Sequence, residues 1–87
     1  MTQHEITWSR NLRDNDFAAF DGELRIGRVY QIAGGPGAGK WSWVQTVLIK
    51  GQRVGSDLGV ADDLAEARCK VETSYWTFQR RIAEDGL

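Results

Sequence analysis

Residues 24–49 read LRIGRVYQIAGGPGAGKWSWVQTVLI, two segments rich in β-branched and aromatic residues on either side of a glycine-rich stretch. Such segments favour strands, and the glycines between them favour a turn. We therefore predict a β-hairpin with strands at about 24–33 and 41–49. Pairing Ile32 with Trp43 keeps the aromatic residues and the isoleucines on one face, whereas a slip by one residue would separate them.

This pairing predicts one apolar face that forms the core. Its members are Leu24, Ile26, Tyr30, Ile32, Trp41, Trp43, Val47 and Ile49. Arg28 and Gln45 are the two polar residues on the predicted core face, while Val29, Val44 and Leu48 lie on the other face.

The segments that flank the hairpin complete the predicted order of elements. Alternating and aromatic residues predict strands at about 4–9 and 17–20 before the hairpin. Residues 54–61 contain two glycines, and we interpret them as a connection. A helix follows at about 63–83.

The helix prediction depends on a capping signal and an apolar stripe. Asp63 and Glu66 have the spacing of a capping box. One stripe at 3.6 residues per turn then faces the core. Its residues are Leu64, Ala67, Val71, Tyr75, Phe78 and Ile82. The chain, residues 1–87, is thus predicted to be a single α+β domain: an antiparallel β-meander of three to four strands followed by one C-terminal α-helix packed on one face.

The sequence Gly34 to Trp41 differs by one residue from a phosphate-binding P-loop, G-x-x-x-x-G-K-[ST]. A P-loop needs a hydroxyl group after the lysine to bind Mg²⁺, and a helix whose N-terminus faces the phosphates. Trp41 replaces the hydroxyl residue, and a strand-forming segment follows it. We interpret residues 34–40 as a hairpin loop without a nucleotide site.

Three short patterns suggest a family resemblance. They are Gly27-Arg28-Val29-Tyr30, Gly39-x-Trp41-x-Trp43 and Ala61-x-x-Leu64-x-Glu66-Ala67. Together they resemble small uncharacterised bacterial proteins that are often carried on mobile elements, and this resemblance implies no activity. The last pattern is also distantly similar to the hairpin-to-helix passage of HicB-type antitoxins, which have a partial ribonuclease-H-like fold. Neither resemblance implies a catalytic residue.

Residues with catalytic or metal-binding chemistry are few. His4 is the only histidine and Cys69 the only cysteine, so the chain has no pattern that would activate a serine or bind zinc. We expect no enzyme activity, no cofactor and no metal, and we interpret Cys69 as a buried or half-buried structural thiol. The single cysteine fits a reducing cytoplasm, and no apolar run is long enough to span a membrane.

The back of the predicted helix is the first candidate binding surface. Ala65, Cys69, Trp76 and Ala83 lie 120° or more from the core stripe, at ~100° per residue. Tryptophan is enriched at the centres of protein interfaces. We therefore predict that Trp76, Cys69, Ala83 and Arg80 bind a protein partner, either a different protein or a second copy in a homodimer. The alternative is that Trp76 folds down onto a neighbouring loop.

The central basic segment is the alternative site. Residues 24–56 contain five basic residues and no acidic one, whereas the segments before and after each have three more acidic than basic residues. The basic residues are Arg25, Arg28, Lys40, Lys50 and Arg53. Interleaved with Tyr30, Trp41 and Trp43, they have the composition of a weak nucleic-acid binder. The acidic pI of about 5.7 argues against a dedicated nucleic-acid module.

These observations predict a small non-enzymatic protein that occupies a surface of a larger protein. Inhibitors encoded by phages or mobile elements, such as anti-CRISPR proteins, have this character, and so do antitoxins. Both assignments are analogies with a class of protein. The identity of neighbouring genes would distinguish them.

Overall fold

The computed structural model describes residues 6–11, 13–49 and 52–85 and shows a five-stranded sheet with one helix on one face. The strands are β1 (Ile6–Arg10), β2 (Asp16–Asp21), β3 (Leu24–Gln31), β4 (Trp41–Ile49) and β5 (Gln52–Ala61), followed by α1 (Leu64–Asp85). All neighbouring strands are antiparallel and their order in the sheet is their order in the chain. The predicted α+β meander with a C-terminal helix is confirmed.

β5 is a strand where the sequence predicted a connection. It pairs with β4 from Trp41 opposite Ala61 to Ile49 opposite Gln52. The glycines of this segment suggested a turn, but Gly59 is needed for a different reason. A Cβ atom at Gly59 would lie 2.9 Å from three atoms of the Trp43 indole. This glycine makes room for an aromatic ring that lies across β5, and the chain does not turn there.

The register of the central hairpin differs from the predicted one by three residues. Val29 lies opposite Trp43, and Gln31 lies opposite Trp41. An odd shift exchanges the faces of β3, so Val29 is buried in the core and Arg28 lies on the opposite face with Tyr30. The predicted core positions of Trp41, Trp43 and Gln45 on β4 are correct.

A close approach of helix and sheet accounts for this register. A Cβ atom on Gly27 would lie 2.6 Å from Val71 Cγ1 and 2.7 Å from the backbone oxygen of Val44, so only glycine fits. A bulge beside Gly27, between the Ala19 and Phe20 pairings, also leaves Ile26 fully buried. The face of β3 is therefore set by contacts with α1 that no local pattern contains.

The helix begins and packs as its sequence predicts. Glu66 N donates to Asp63 Oδ1 at 2.8 Å, and Asp62 N donates to Glu66 Oε2 at 3.3 Å, which caps the first turn. The stripe residues Ala67, Val71 and Tyr75 are fully buried. Phe78 and Leu64 are only half-buried at the edge of the core, and the side chain of Ile82 lies outside the described part.

The position of α1 leaves part of the sheet uncovered. It packs mainly on β4 and also contacts β3 and β5. β1 and β2 therefore extend beyond one side of the helix, and their helix-facing residues Trp8 and Phe17 are half-buried against the core.

Candidate functional site

A groove of about 420 Å³ runs along the side of α1. It is lined by Ala65, Arg68, Cys69, Glu72, Thr73 and Trp76, and we call it the helix-flank groove. Three residues of the predicted back stripe, Ala65, Cys69 and Trp76, therefore lie together. Arg80 is exposed but does not line the groove, and the side chain of Ala83 lies outside the described part.

Trp76 is more buried than the helical spacing predicted. Its ring packs against the core, with its centroid 5.1 Å from that of Tyr75 at an interplanar angle of 59°. The indole is large enough to reach from the back of the helix to the core edge, so the expectation of an exposed Trp76 was wrong. One part of the ring still lines the groove.

Cys69 is exposed, which corrects the expectation of a buried or half-buried thiol. Its Sγ lies 3.9 Å from Thr73 Oγ1, one turn along the helix. The thiol is therefore accessible from the helix-flank groove and serves as a chemical reporter of whether that groove is covered.

The sequence analysis missed three residues of this groove, which are Glu72, Thr73 and, most important for its chemistry, Arg68. Its guanidinium lies 5.3 Å from the ring centroid of Trp8 and 5.1 Å from that of Phe17, within the range of cation–π contacts. Trp8 Nε1 donates to Glu72 Oε2 at 2.8 Å, which fixes the neighbouring carboxylate. No local pattern reveals this cluster, because it joins β1, β2 and α1.

The polar atoms of Arg68 are incompletely satisfied. Its Nε is buried without a hydrogen-bond partner, and no carboxylate of the described residues lies within ion-pair distance of it. Guanidinium groups bind carboxylates through a planar fork of N–H donors. The groove thus presents a cation held in place by two aromatic rings, beside a carboxylate held by an indole.

The basic segment is partly neutralised within the fold. Arg28 donates from Nε to Asp16 Oδ1 at 2.9 Å and from Nη2 to Asp16 Oδ2 at 2.7 Å, and it lies over the Tyr30 ring at 4.5 Å. Lys40 Nζ lies 3.7 Å from Asp62 Oδ1. Arg25 is exposed and forms no ion pair with the described residues. Lys50 and the side chain of Arg53 lie outside the described part.

The aromatic residues of the basic segment are also unsuited to stacking on bases. Trp41 and Trp43 are 8% and 7% exposed beneath α1, on the face opposite Arg28. Tyr30 does lie on the same face as Arg28, but the guanidinium covers it. The combination of free cations and free aromatic rings that the nucleic-acid alternative needs is therefore not present among the residues described.

A second exposed surface lies on the sheet face that α1 does not cover. Leu58 and Val60 of β5 are 70% and 58% exposed there. Val44 lies opposite Leu58, and Ser42 lies opposite Val60. The sequence analysis missed this surface because it interpreted 54–61 as a connection. The sequence did contain a signal for a strand here, because Leu58 and Val60 are two residues apart, which is the spacing of side chains on one face of a strand.

The described residues contain neither a metal-binding cluster nor a membrane-spanning helix. Within 6–11, 13–49 and 52–85 no three His, Cys, Asp or Glu side chains are placed to share a metal ion. In the same ranges no helix combines the length and the apolar character of a membrane span. No family model, no curated protein and no solved structure matches the chain.

Proposed function

We propose that the chain is a non-enzymatic binding protein that attaches to a surface of a larger protein through the helix-flank groove. The supporting observation is the fixed Arg68 guanidinium, stacked on Trp8 and Phe17 next to Trp76. Tryptophan and arginine are the residue types most enriched at interface hot spots. Side chains already held in place lose little conformational entropy when a partner binds.

The chemistry of the groove indicates what the partner presents. A carboxylate of the partner would pair with the guanidinium of Arg68 through its Nη groups, since Nε is buried. Separate apolar side chains would pack against Ala65 and, about three helical turns away, against Trp76. Glu72 next to Arg68 disfavours a densely anionic ligand because two negative charges would repel. A protein surface with separate acidic and apolar side chains fits the groove better than a nucleic acid does.

The biological role belongs to the same proposal. A small protein that only binds acts by blocking the surface of its target, as inhibitors encoded by phages or mobile elements do. The alternative is an antitoxin-like module that covers a toxin encoded beside it. Inhibitors and antitoxins of these kinds act in the cytoplasm, and a single cysteine, which cannot form an internal disulfide, fits that reducing compartment. A third alternative, weak nucleic-acid binding through the basic segment, is supported among the described residues by the exposed Arg25 alone.

Blocking the groove with a bulky side chain tests the proposal. Thr73 is exposed and lines the groove, whereas Thr77, one turn further along α1, is exposed and does not. Tagged wild type, Thr73→Arg and Thr77→Arg would be used to isolate partners from the native cells, with quantification by mass spectrometry. We expect Thr73→Arg to lose at least 30-fold in partner recovery, about 2 kcal/mol, and Thr77→Arg to bind as wild type does.

The thiol of Cys69 provides a second readout. In the isolated complex, Cys69 should react more slowly with a maleimide than in the free protein, because the partner covers the groove. Two results together would exclude the groove as the binding site. They are equal recovery of the same partners by Thr73→Arg and wild type, and a Cys69 reactivity that is the same in the complex as in the free protein.

A further inference from the structure

The inner face of the sheet, on which α1 packs, has room for a second helix. Helices that pack side by side lie ~8–10 Å apart, and neighbouring strands lie ~4.8 Å apart. Because α1 packs mainly on β4, a neighbouring helix at that distance would lie above β2. The inner-facing residues there, Ile6 and Trp8 of β1 and Phe17 of β2, are half-buried. Among the described elements only α1 lies on this face, and it lies over β3, β4 and β5.

The side of α1 next to this space has the spacing of a helix–helix contact. Four residues of the helix-flank groove follow one another at intervals of three or four, namely Ala65, Arg68, Glu72 and Trp76. Residues at these intervals form one ridge along a helix, and such ridges pack against a neighbouring helix. From Ala65 to Trp76 the ridge is about 16 Å long, at ~1.5 Å per residue. β1 and β2, with five and six residues, have a similar length.

We propose that the partner places an α-helix in this space, beside α1 and above β1 and β2, and that this helix points a carboxylate at Arg68. The inference rests on the proposed function, because it concerns the segment that the helix-flank groove binds. With the second helix in place, the sheet would carry a complete layer of helices on its inner face, as two-layer α+β domains do.

Backbone hydrogen bonding favours a helix over an extended segment. The N–H and C=O groups of β1 and β2 lie in the plane of the sheet, and those between the two strands bond to each other. A segment above the sheet therefore meets side chains, here Ile6, Trp8 and Phe17. A helix satisfies its backbone hydrogen bonds internally, whereas an extended segment would leave them unpaired on this apolar surface. An extended segment would instead pair with the free edge of β1, beside the sheet and not above it.

The charges around this space favour a carboxylate opposite Arg68. Its guanidinium is held over two aromatic rings and forms no ion pair with a carboxylate of the described residues. Glu72, one turn along α1, already accepts a hydrogen bond from the Trp8 indole. Arg10, on the same face of β1 as Trp8, forms an ion pair with Asp14. Arg68 is therefore the cation of this space that a partner can still neutralise, and a carboxylate does so through the Nη groups.

The contact area predicts weak binding by an isolated helix. A strip ~10 Å wide and about 16 Å long covers on the order of 160 Å² in projection on the sheet, and a similar area on α1. The two together fall well below the about 800 Å² that each partner buries in a stable complex. An isolated helical peptide should therefore bind with a dissociation constant of about 0.1–1 mM. The native partner would gain its remaining affinity from contacts outside this space.

A library of helical peptides is a suitable probe, because it does not require the native partner to be known. Peptides of about 18 residues, long enough to form isolated helices, are randomised along one stripe and selected on the immobilised full chain. Display of several copies on each phage particle compensates for weak binding through avidity. The control library has the same randomised positions and a central proline, which breaks the helix. We expect binders from the helical library alone, with an Asp or Glu in the selected stripe.

A selected peptide is then synthesised and added to the isotope-labelled chain in an NMR titration. Saturable shifts should centre on the Trp8 indole N–H and on Cys69. Changing the acidic residue of the peptide to its amide should weaken binding about fivefold in wild type. The same change should have no effect in Arg68→Gln, which has no charge to pair. Thr73→Arg should prevent binding, and Thr77→Arg is the matched control that should bind as wild type does.

Three results with the wild-type chain would each overturn the proposal, and they do not depend on a variant that must fold. They are equally frequent binders from the proline library, an absence of binders from both libraries, and an amide change without effect. Shifts confined to the edge of β1 would assign the partner an extended strand instead. Self-association that protects Cys69 would assign the groove to a second copy of the chain, which also contradicts the proposal.

Failure of the proposed function has a different signature. It would appear as recovery of native partners from cells that Thr73→Arg leaves unchanged. If Thr73→Arg loses those partners while no helical peptide binds, the helix-flank groove is the binding site and its occupant is not a helix.

Discussion

The contact of Gly27 with α1 gives the sharpest test of the fold. In Gly27→Ala the new Cβ atom would lie 2.6 Å from Val71 Cγ1 and 2.7 Å from the Val44 backbone oxygen. The side chain of Val71 could rotate, but the oxygen belongs to the sheet backbone and cannot move without disturbing its strand. Overpacking of this kind costs about 1–3 kcal/mol, and we expect the upper end of that range.

A smaller, opposite effect must be subtracted. Alanine restricts the unfolded chain more than glycine does and so stabilises the fold by about 0.4–1 kcal/mol. The expected net loss is therefore about 2 kcal/mol, a large part of the 5–15 kcal/mol typical of a folded domain. Urea unfolding followed by tryptophan fluorescence measures this loss, because Trp41 and Trp43 are buried beneath the helix.

Two comparisons make the result specific. Gly34→Ala is the matched control, since a Cβ atom there meets nothing within 4 Å, and it should be neutral or slightly stabilising. In a double-mutant cycle, Val71→Ala should reduce the cost of Gly27→Ala by about 1 kcal/mol, because it removes one of the two contacts. If Gly27→Ala unfolds at the urea concentration of wild type, the register of β3 under α1 is not the one described.

Two further predictions concern pH. Burial, together with the hydrogen bond to Asp21, raises the pKa of Tyr75 from 10.0 to about 12. Between these two pH values the folded protein keeps a proton that the unfolded chain releases. The free energy of unfolding should therefore fall by about 2–3 kcal/mol between pH 10 and pH 12. Unfolding in urea at pH 9 and pH 11 should show about half of this decline, roughly 1.4 kcal/mol, in wild type but not in Tyr75→Phe. An equal decline in both proteins would contradict the prediction. The hydrogen bonds from Arg28 hold the pKa of Asp16 below its usual 3.8, so the pair stabilises the fold above that value and its contribution is lost as the pH falls through the lowered pKa. Arg28→Ala should therefore cost about 2 kcal/mol at pH 7 and progressively less in acid, and a loss that is independent of pH would exclude this ion pair as its cause.

The sequence predicted the features that depend on residues close together in the chain. The capping pair Asp63 and Glu66, the buried stripe through Val71 and the strand at 41–49 all follow from local spacing, and the structure contains each of them. The hairpin loop at 34–40 is likewise confirmed, because a strand and not a helix follows it.

The features that were predicted wrongly, or missed, depend on contacts between distant elements. Gly59 resembles a turn residue until the Trp43 ring is seen above it. In the sequence, Arg68 has no feature that distinguishes it from other helical arginines. Its role depends on Trp8 of β1 and Phe17 of β2, which contact it only in the folded structure. In both cases the deciding neighbour is separated by many residues, and a single sequence does not contain that pairing.

The order of the strands has a consequence for how the chain reaches this structure. Every strand pairs with its neighbour in the chain, so the sheet can grow one hairpin at a time with short loop closures, and folding of such topologies is fast. The inner face with Val29, Trp41 and Trp43, however, is covered only by α1, the last element described. A ribosome that has released β5 but still holds α1 therefore displays an assembled sheet with its aromatic layer in water. The interval before the helix docks is the period in which a newly made chain is most exposed to aggregation.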